Sequence, residues 1–231
     1  MLIEDFKYFE RVKDLKNKTF AFDTPGKNNL TVHEWHSYPV QNFDYNFNNW
    51  GFRGPEYSEF IGKPVIICLG DSFTVNLGGP IKHSWASQLA KHFEYPVLNL
   101  GLNGAGNDAL RLIYKRACNV FDVQDCFVMY SYLARRNING TFTNYVDGND
   151  DATNFEYFEQ QRLDNVYESI IPYWCHSNTK IEYFKQKGLT FFSSKKDSKT
   201  FTNRDGHHMN ELTNSWYADH FYNQWKQHNE S

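Results

Sequence analysis

Three short stretches carry the residue types of acyl-transfer chemistry. They are Gly70-Asp71-Ser72, Asn99-Leu100-Gly101-Leu102-Asn103-Gly104 and Asp205-Gly206-His207-His208. A serine hydroxyl is a weak nucleophile until a base takes its proton, and histidine is the usual base near neutral pH. That histidine needs a carboxylate to fix its tautomer and stabilise the imidazolium. Asp205 and His208 are three residues apart, so a single turn can bring the carboxylate to the ring. Acyl transfer also develops an oxyanion, which calls for preorganised donors. The backbone N–H groups of Ser72 and Gly104 are the candidates, and glycine at 104 lets an oxygen approach the backbone closely. The set reads as Ser72 nucleophile, His208 base and Asp205 orienting carboxylate, with His207 a neighbour. A plainer reading stands beside it: Asp71 or Ser72 caps the next helix, and the histidines cap or pack.

These stretches need elements that bring them to one place. Val65 to Leu69 is an unbroken apolar run, as expected of a strand buried on both faces of a parallel sheet. Ser72 follows it, at the carboxyl end where open α/β sheets bind ligands. Ser84 to Phe93 has helical spacing with Ser84 as N-cap. Pro96 to Leu102 is a second strand, Asn107 to Val120 a helix with Leu110, Ile113, Tyr114 and Ala117 on one face, and Cys126 to Leu133 a third strand. Residues 134–160 read as a polar loop, Gln161 to Lys187 as a helix interrupted near Pro172, and Leu189 to Phe192 as a fourth strand. Asn210 to Gln227 reads as a terminal helix with Leu212, Trp216, His220 or Phe221, and Trp225 inward. Strands alternating with helices imply an α/β class chain: a central, mostly parallel sheet in a three-layer α/β/α arrangement. The domain spans residues 61–231. Residues 1–60 form an irregular extension packed on it, with a short helix over Glu4 to Lys16 and an ordered aromatic loop over Tyr45 to Glu56.

In this order and spacing the three stretches resemble the blocks of the SGNH (GDSL-like) hydrolase family. Gly70-Asp71-Ser72 with Phe73-Thr74 is similar to its first block, Asn99 to Gly104 to its second, and Asp205-x-x-His208 to its last. Gly51-Phe52-Arg53-Gly54-Pro55-Glu56 is similar to a segment that precedes the first block in one branch. The resemblance spans about residues 50 to 225 in interrupted form. It implies a flavodoxin-like fold, a serine esterase or O-acyl transferase with catalytic Ser72, Asp205 and His208, an oxyanion hole at Ser72 and Gly104, and no cofactor. One block departs. The family carries an asparagine donor after the third strand, where this chain reads Tyr130-Ser131-Tyr132-Leu133-Ala134-Arg135-Arg136-Asn137. Ser131, Arg135 and Asn137 are the substitutes, and the sequence does not choose among them. Loss of such a donor lowers rate by about 10²–10³, so a fold-retaining module that binds carbohydrate or protein is the rival reading.

Other patterns are weaker. Gly104-Ala105-Gly106-Asn107-Asp108-Ala109 matches a dinucleotide fingerprint, but the next strand ends in Ser131-Tyr132-Leu133 without the acidic residue that reading needs. Asp147, Asn149 and Asp151 alternate like a calcium loop, yet Ala152 and Phe158 stand where glycine and glutamate belong. Arg53 reads as a brace on backbone carbonyls, and Asp71 as a partner of the turn around Ser72. Net charge is −3, which gives no electrostatic case for nucleic acid or an anionic membrane. No run approaches the ~20 apolar residues of a membrane span. The four scattered cysteines form no metal or redox motif, and the start has no signal-peptide pattern, so a cytoplasmic location is the default expectation. Aromatics make up 18% of the chain; they line a groove or fill core and loop contacts, and the aromatic loop at 43–52 with the polar loop at 137–160 suits a small-molecule or carbohydrate ester, which aromatics alone do not establish.

Overall fold

The computed structural model describes residues 19–20, 44–138, 141–144, 151–194, 198–203 and 207–230. In chain order the strands are β1 (Thr19–Phe20), β2 (Tyr45–Asn46), β3 (Pro64–Leu69), β4 (Val97–Asn99), β5 (Asp122–Tyr130), β6 (Arg135–Ile138), β7 (Thr141–Asn144) and β8 (Tyr167–Ile170). The α-helices are α1 (Ser72–Val75), α2 (Trp85–Leu89), α3 (Asn107–Val120), α4 (Asp151–Gln161), α5 (Asn178–Gln186) and α6 (Glu211–Asn229). The expected helix over Glu4 to Lys16 and the calcium-loop-like residues Asp147 and Asn149 lie outside the described residues.

Four strands form the central sheet in the order β4-β3-β5-β8, every pair parallel. Helices cover both faces, giving the three-layer α/β/α architecture. Val65 to Leu69 are wholly buried because β3 is an inner strand with a helical layer on each side. Beyond its assigned span, β4 continues to bond β3: Leu100 N donates to Cys68 O at 2.8 Å and Leu102 N to Gly70 O at 2.9 Å. The chain leaves β3 toward β4 on one side and then crosses to β5 on the other. The carboxyl end of β3 is therefore the switch point, where crevices open in doubly wound sheets.

Several sequence expectations need correction. Residues 134–160 are not one loop. β6 and β7 form an antiparallel hairpin that pairs Arg135 with Asn144 and Ile138 with Thr141, and α4 follows. The helix expected over Gln161 to Lys187 is instead β8 and then α5. The fourth sheet strand is thus Tyr167–Ile170 and not Leu189 to Phe192, which runs alongside it: Ile170 N donates to Thr190 O and Tyr173 N to Phe192 O, both at 3.2 Å. On the terminal helix Phe221 is buried as expected and Trp216 and Trp225 pack half-buried against the core, but Leu212 does not face inward. Leu212 is exposed, while Thr213, Asn214, Tyr217, Ala218 and Phe221 are buried. A polar residue sets that face. Asn214 Nδ2 donates to Asn76 Oδ1 at 3.1 Å, and its Oδ1 accepts from Trp85 N, the first residue of α2, at 2.8 Å. An apolar pattern alone cannot reveal a buried asparagine of this kind.

The segment before β3 packs into the same core, with Trp50, Phe52 and Tyr57 buried. Arg53 braces this segment to the nucleophile region through bonds from Nη1 to Val75 O (3.0 Å) and Asn76 O (2.7 Å).

Candidate active site

Gly70 ends β3 under a tight constraint: a Cβ there would lie 1.9 Å from Thr74 Oγ1, so only glycine lets the chain turn here. Asp71 is the N-cap of α1, its Oδ1 accepting from Phe73 N at 3.0 Å. The capping reading and the nucleophile reading are thus compatible, because the cap is Asp71 and Ser72 begins the helix. One short turn later the chain reverses at Asn76, in the left-handed conformation (φ 59°) that asparagine tolerates.

The second stretch lies against this turn. Asn99 Nδ2 donates to Thr74 O at 2.8 Å, and its Oδ1 accepts from Gly101 N at 2.9 Å. Ala105 N donates to Leu102 O at 3.0 Å. That closes a four-residue turn whose third residue, Gly104, has φ +80°, a position that demands glycine. At Gly106 a Cβ would meet Arg135 O at 2.7 Å. The glycine needed for a dinucleotide approach is here filled by the protein's own backbone.

The third stretch arrives from the far end of the chain. Thr202 and Met209 form an antiparallel bridge, Asn203 N donates to His208 O at 2.5 Å, and Asn203 Nδ2 donates to Leu77 O at 2.9 Å. This short bracket carries His208 to the nucleophile: Nε2 lies 2.8 Å from Ser72 Oγ, across 136 residues of sequence. Phe73 packs on both histidine rings, with centroids 4.9 Å from His208 and 5.3 Å from His207. Asp205 lies outside the described residues.

The segment after β5 resolves what the sequence left open. Ser131 Oγ donates to Asp71 Oδ2 at 2.6 Å, and Arg135 Nη1 donates to the same oxygen at 2.6 Å and to Ser131 Oγ at 3.1 Å. Two of the three candidate oxyanion donors therefore direct these groups to Asp71, whose carboxylate is 0% exposed. Asn137, the third, sits on β6 with its backbone N–H on Asp108 Oδ2 at 2.6 Å. His207 turns to Tyr132, with 3.2 Å between Nε2 and the phenolic oxygen. Sequence reasoning missed Tyr132 altogether, and it treated Arg135 only as a replacement donor. A basic residue a few positions past the third strand, in a chain with a buried acidic residue beside the serine, was the available signal.

Among the described residues no cluster of histidine, cysteine, aspartate or glutamate is arranged to hold a metal ion, and no helix is long and apolar enough to cross a membrane. A groove of about 750 Å³ lies at the opposite, amino edge of the sheet, lined by Asp125, Tyr167, Gln224 and His228 among others. It is remote from the serine and contains no nucleophile–base pair.

The fold and the site define a class: a doubly wound α/β/α protein with a serine–histidine contact at its switch point. No protein-family model and no curated protein matches the chain. Solved structures similar to it include a psychrotrophic esterase from Pseudoalteromonas sp., at 12% identity and TM-score 0.44, covering 72% of this chain and 99% of that one. A member of the lipolytic protein G-D-S-L family from Veillonella parvula DSM 2008 is 13% identical, with TM-score 0.45 over 71% of this chain and 99% of its own. The lipase/acylhydrolase from Enterococcus faecalis is 17% identical, with TM-score 0.45 over 71% and 96%.

Proposed function

We propose that this protein is a serine ester hydrolase, or an O-acyl transferase, that works through an acyl-Ser72 intermediate. The observation that carries the reading is the 2.8 Å contact between Ser72 Oγ and His208 Nε2 at the end of β3. It is the distance at which a base takes a hydroxyl proton.

In this reading His208 Nε2 accepts the Ser72 proton as Oγ attacks the carbonyl carbon of the ester. The carbonyl oxygen becomes an oxyanion held by the N–H groups of Ser72 and Gly104. His208 then passes the proton to the departing alkoxide, leaving the acyl group on Ser72. Water, or the hydroxyl of an acceptor, gives its proton to His208 and attacks the acyl carbon; as the acyl C–Oγ bond breaks, His208 returns that proton to Ser72 Oγ, which frees the serine. Asp205 receives the Nδ1–H and keeps Nε2 as the acceptor. No cofactor takes part. The substrate is a small-molecule or carbohydrate ester, and residues 61–231 form the hydrolase domain, with 1–60 its extension.

A fluorophosphonate probe tests this. The expected result is one adduct, located on Ser72 by mass spectrometry and missing in Ser72→Ala. A second reading, a fold-retaining binding module, draws support from Ser131 and Arg135 engaging Asp71 where the resembled family has a donor to the oxyanion. An unlabelled wild type with no turnover on a broad ester panel would favour that module.

A further inference from the structure

Ser72 opens α1 after β3, and His208 lies on the bracket closed by the Thr202–Met209 bridge. One side chain reaches toward both. Arg135 Nη1 lies 2.6 Å from Asp71 Oδ2, one residue from the nucleophile. The same guanidinium covers the ring of Tyr132, its Cζ 4.6 Å from the centroid, and the Tyr132 hydroxyl lies 3.2 Å from His207 Nε2, one residue from the base. The contacts run in a closed ring: Ser72, Asp71, Arg135, Tyr132, His207, His208, and back to Ser72.

Each link has a physical basis. Asp71 is wholly buried, and a buried carboxylate without a compensating charge is costly. It also caps α1 through Phe73 N, so its position fixes where Ser72 begins the helix. The Arg135 backbone is held independently: its N donates to Tyr132 O at 3.2 Å, and its carbonyl sits in the space that Gly106 leaves open. The guanidinium thus projects from an anchored backbone, and its side chain is 14% exposed.

We propose that Arg135 is a positioning residue that sets the Ser72–His208 separation by bracing both segments, directly through Asp71 and indirectly through Tyr132 and His207. The proposal rests on the serine-hydrolase reading above. It also accounts for the departure after the third strand, since the residue there acts on the nucleophile turn through Asp71.

The test measures fluorophosphonate labelling of Ser72 and ester turnover in wild type, Arg135→Lys, Arg135→Met and Tyr132→Phe, with thermal unfolding followed in parallel. A lysine keeps a charge for Asp71 but loses the planar face over Tyr132. Arg135→Met should slow labelling of the folded protein and lower kcat by about 10–10³-fold, with KM changed less than threefold. Arg135→Lys should recover part of the loss, and Tyr132→Phe should show a smaller fall in kcat. If Arg135→Met fails to fold, the Arg135→Lys and Tyr132→Phe variants carry the decision. Variants that unfold at lower temperature yet label as fast as wild type when folded would overturn the positioning role and leave the hydrolase reading intact. A wild type that does not label at all would overturn both.

Discussion

The side chain of Asn107 clamps both backbone groups of Ser131: Oδ1 accepts from Ser131 N at 2.8 Å, and Nδ2 donates to Ser131 O at 3.3 Å. This bidentate contact joins the start of α3 to the end of β5, both residues being buried. It holds in place the segment that carries Tyr132 and Arg135. Three loops at the carboxyl edge are therefore locked by polar side chains: Asp71 from the first, Asn107 from the second, Ser131 and Arg135 from the third.

Asn107→Ala tests that lock. It leaves the N–H and C=O of Ser131 without these partners in a buried place, at about 1–3 kcal/mol for each unsatisfied group. The expected loss is about 2–4 kcal/mol in urea unfolding, with turnover reduced as the third loop relaxes. A change under about 0.5 kcal/mol, of the size usual for surface substitutions, would show that the clamp contributes little.

How much of this was legible before the structure depends on what each residue answers to. The inner strand β3 and helix α3 were readable because both follow local rules: an apolar run in one, and apolar residues at helical spacing in the other, where Leu110, Ile113 and Ala117 are buried as expected. β8 was not. Tyr167-Glu168-Ser169-Ile170 has polar residues whose reasons are tertiary, since Glu168 receives the Tyr130 hydroxyl at 2.8 Å and Ser169 donates to Thr190 O at 2.6 Å. The difference in the first turn of α6, where Leu212 is exposed and Thr213 and Asn214 are buried, came from the same blindness to buried polar residues. At the site, Ser72 and His208 could be named from motif spacing, because the chemistry dictates their types. The partners of Arg135 could not, because they come from the turn after β3 and from the segment after β5, brought together only by the parallel sheet.

The imidazole of His176 gives a pH-dependent stability with a defined sign. It is half-buried, edge-on to Phe184 at 4.9 Å, and its Nε2 lies 3.1 Å from Ile171 O. Burial disfavours the charged ring and pulls its pKa from the ordinary 6.5 down to about 4. The unfolded chain therefore takes up this proton at a higher pH than the folded one. The contribution is fully present above the ordinary value and is lost as pH falls from about 6.5 to about 4. The loss amounts to as much as about 3 kcal/mol at the lower limit. Unfolding free energies measured from pH 7 to pH 4 should decline more steeply in wild type than in His176→Phe, which has nothing to titrate there. Parallel curves for the two proteins would show that His176 is charged in the fold.

The two adjacent histidines should separate cleanly by kinetics. His208 and His207 differ in what their rings meet: Nε2 of His208 faces Ser72 Oγ at 2.8 Å, while Nε2 of His207 faces the Tyr132 hydroxyl at 3.2 Å. In the proposed mechanism only the first can move the serine proton. His208→Ala should lower kcat by about 10³–10⁶-fold, as losing one member of a nucleophile–base unit does elsewhere. Ser72→Ala/His208→Ala should be scarcely worse, because the two act as one unit and their losses do not add. His207→Ala removes a bracing contact and no proton acceptor for Ser72, so its kcat should fall by about tenfold or less, the cost of slightly imperfect placement. Fluorophosphonate labelling of Ser72 should follow the same order, since the probe also needs an activated serine. The reverse order, with His207→Ala crippled and His208→Ala active, would move the base by one residue and break the assignment built on the 2.8 Å contact.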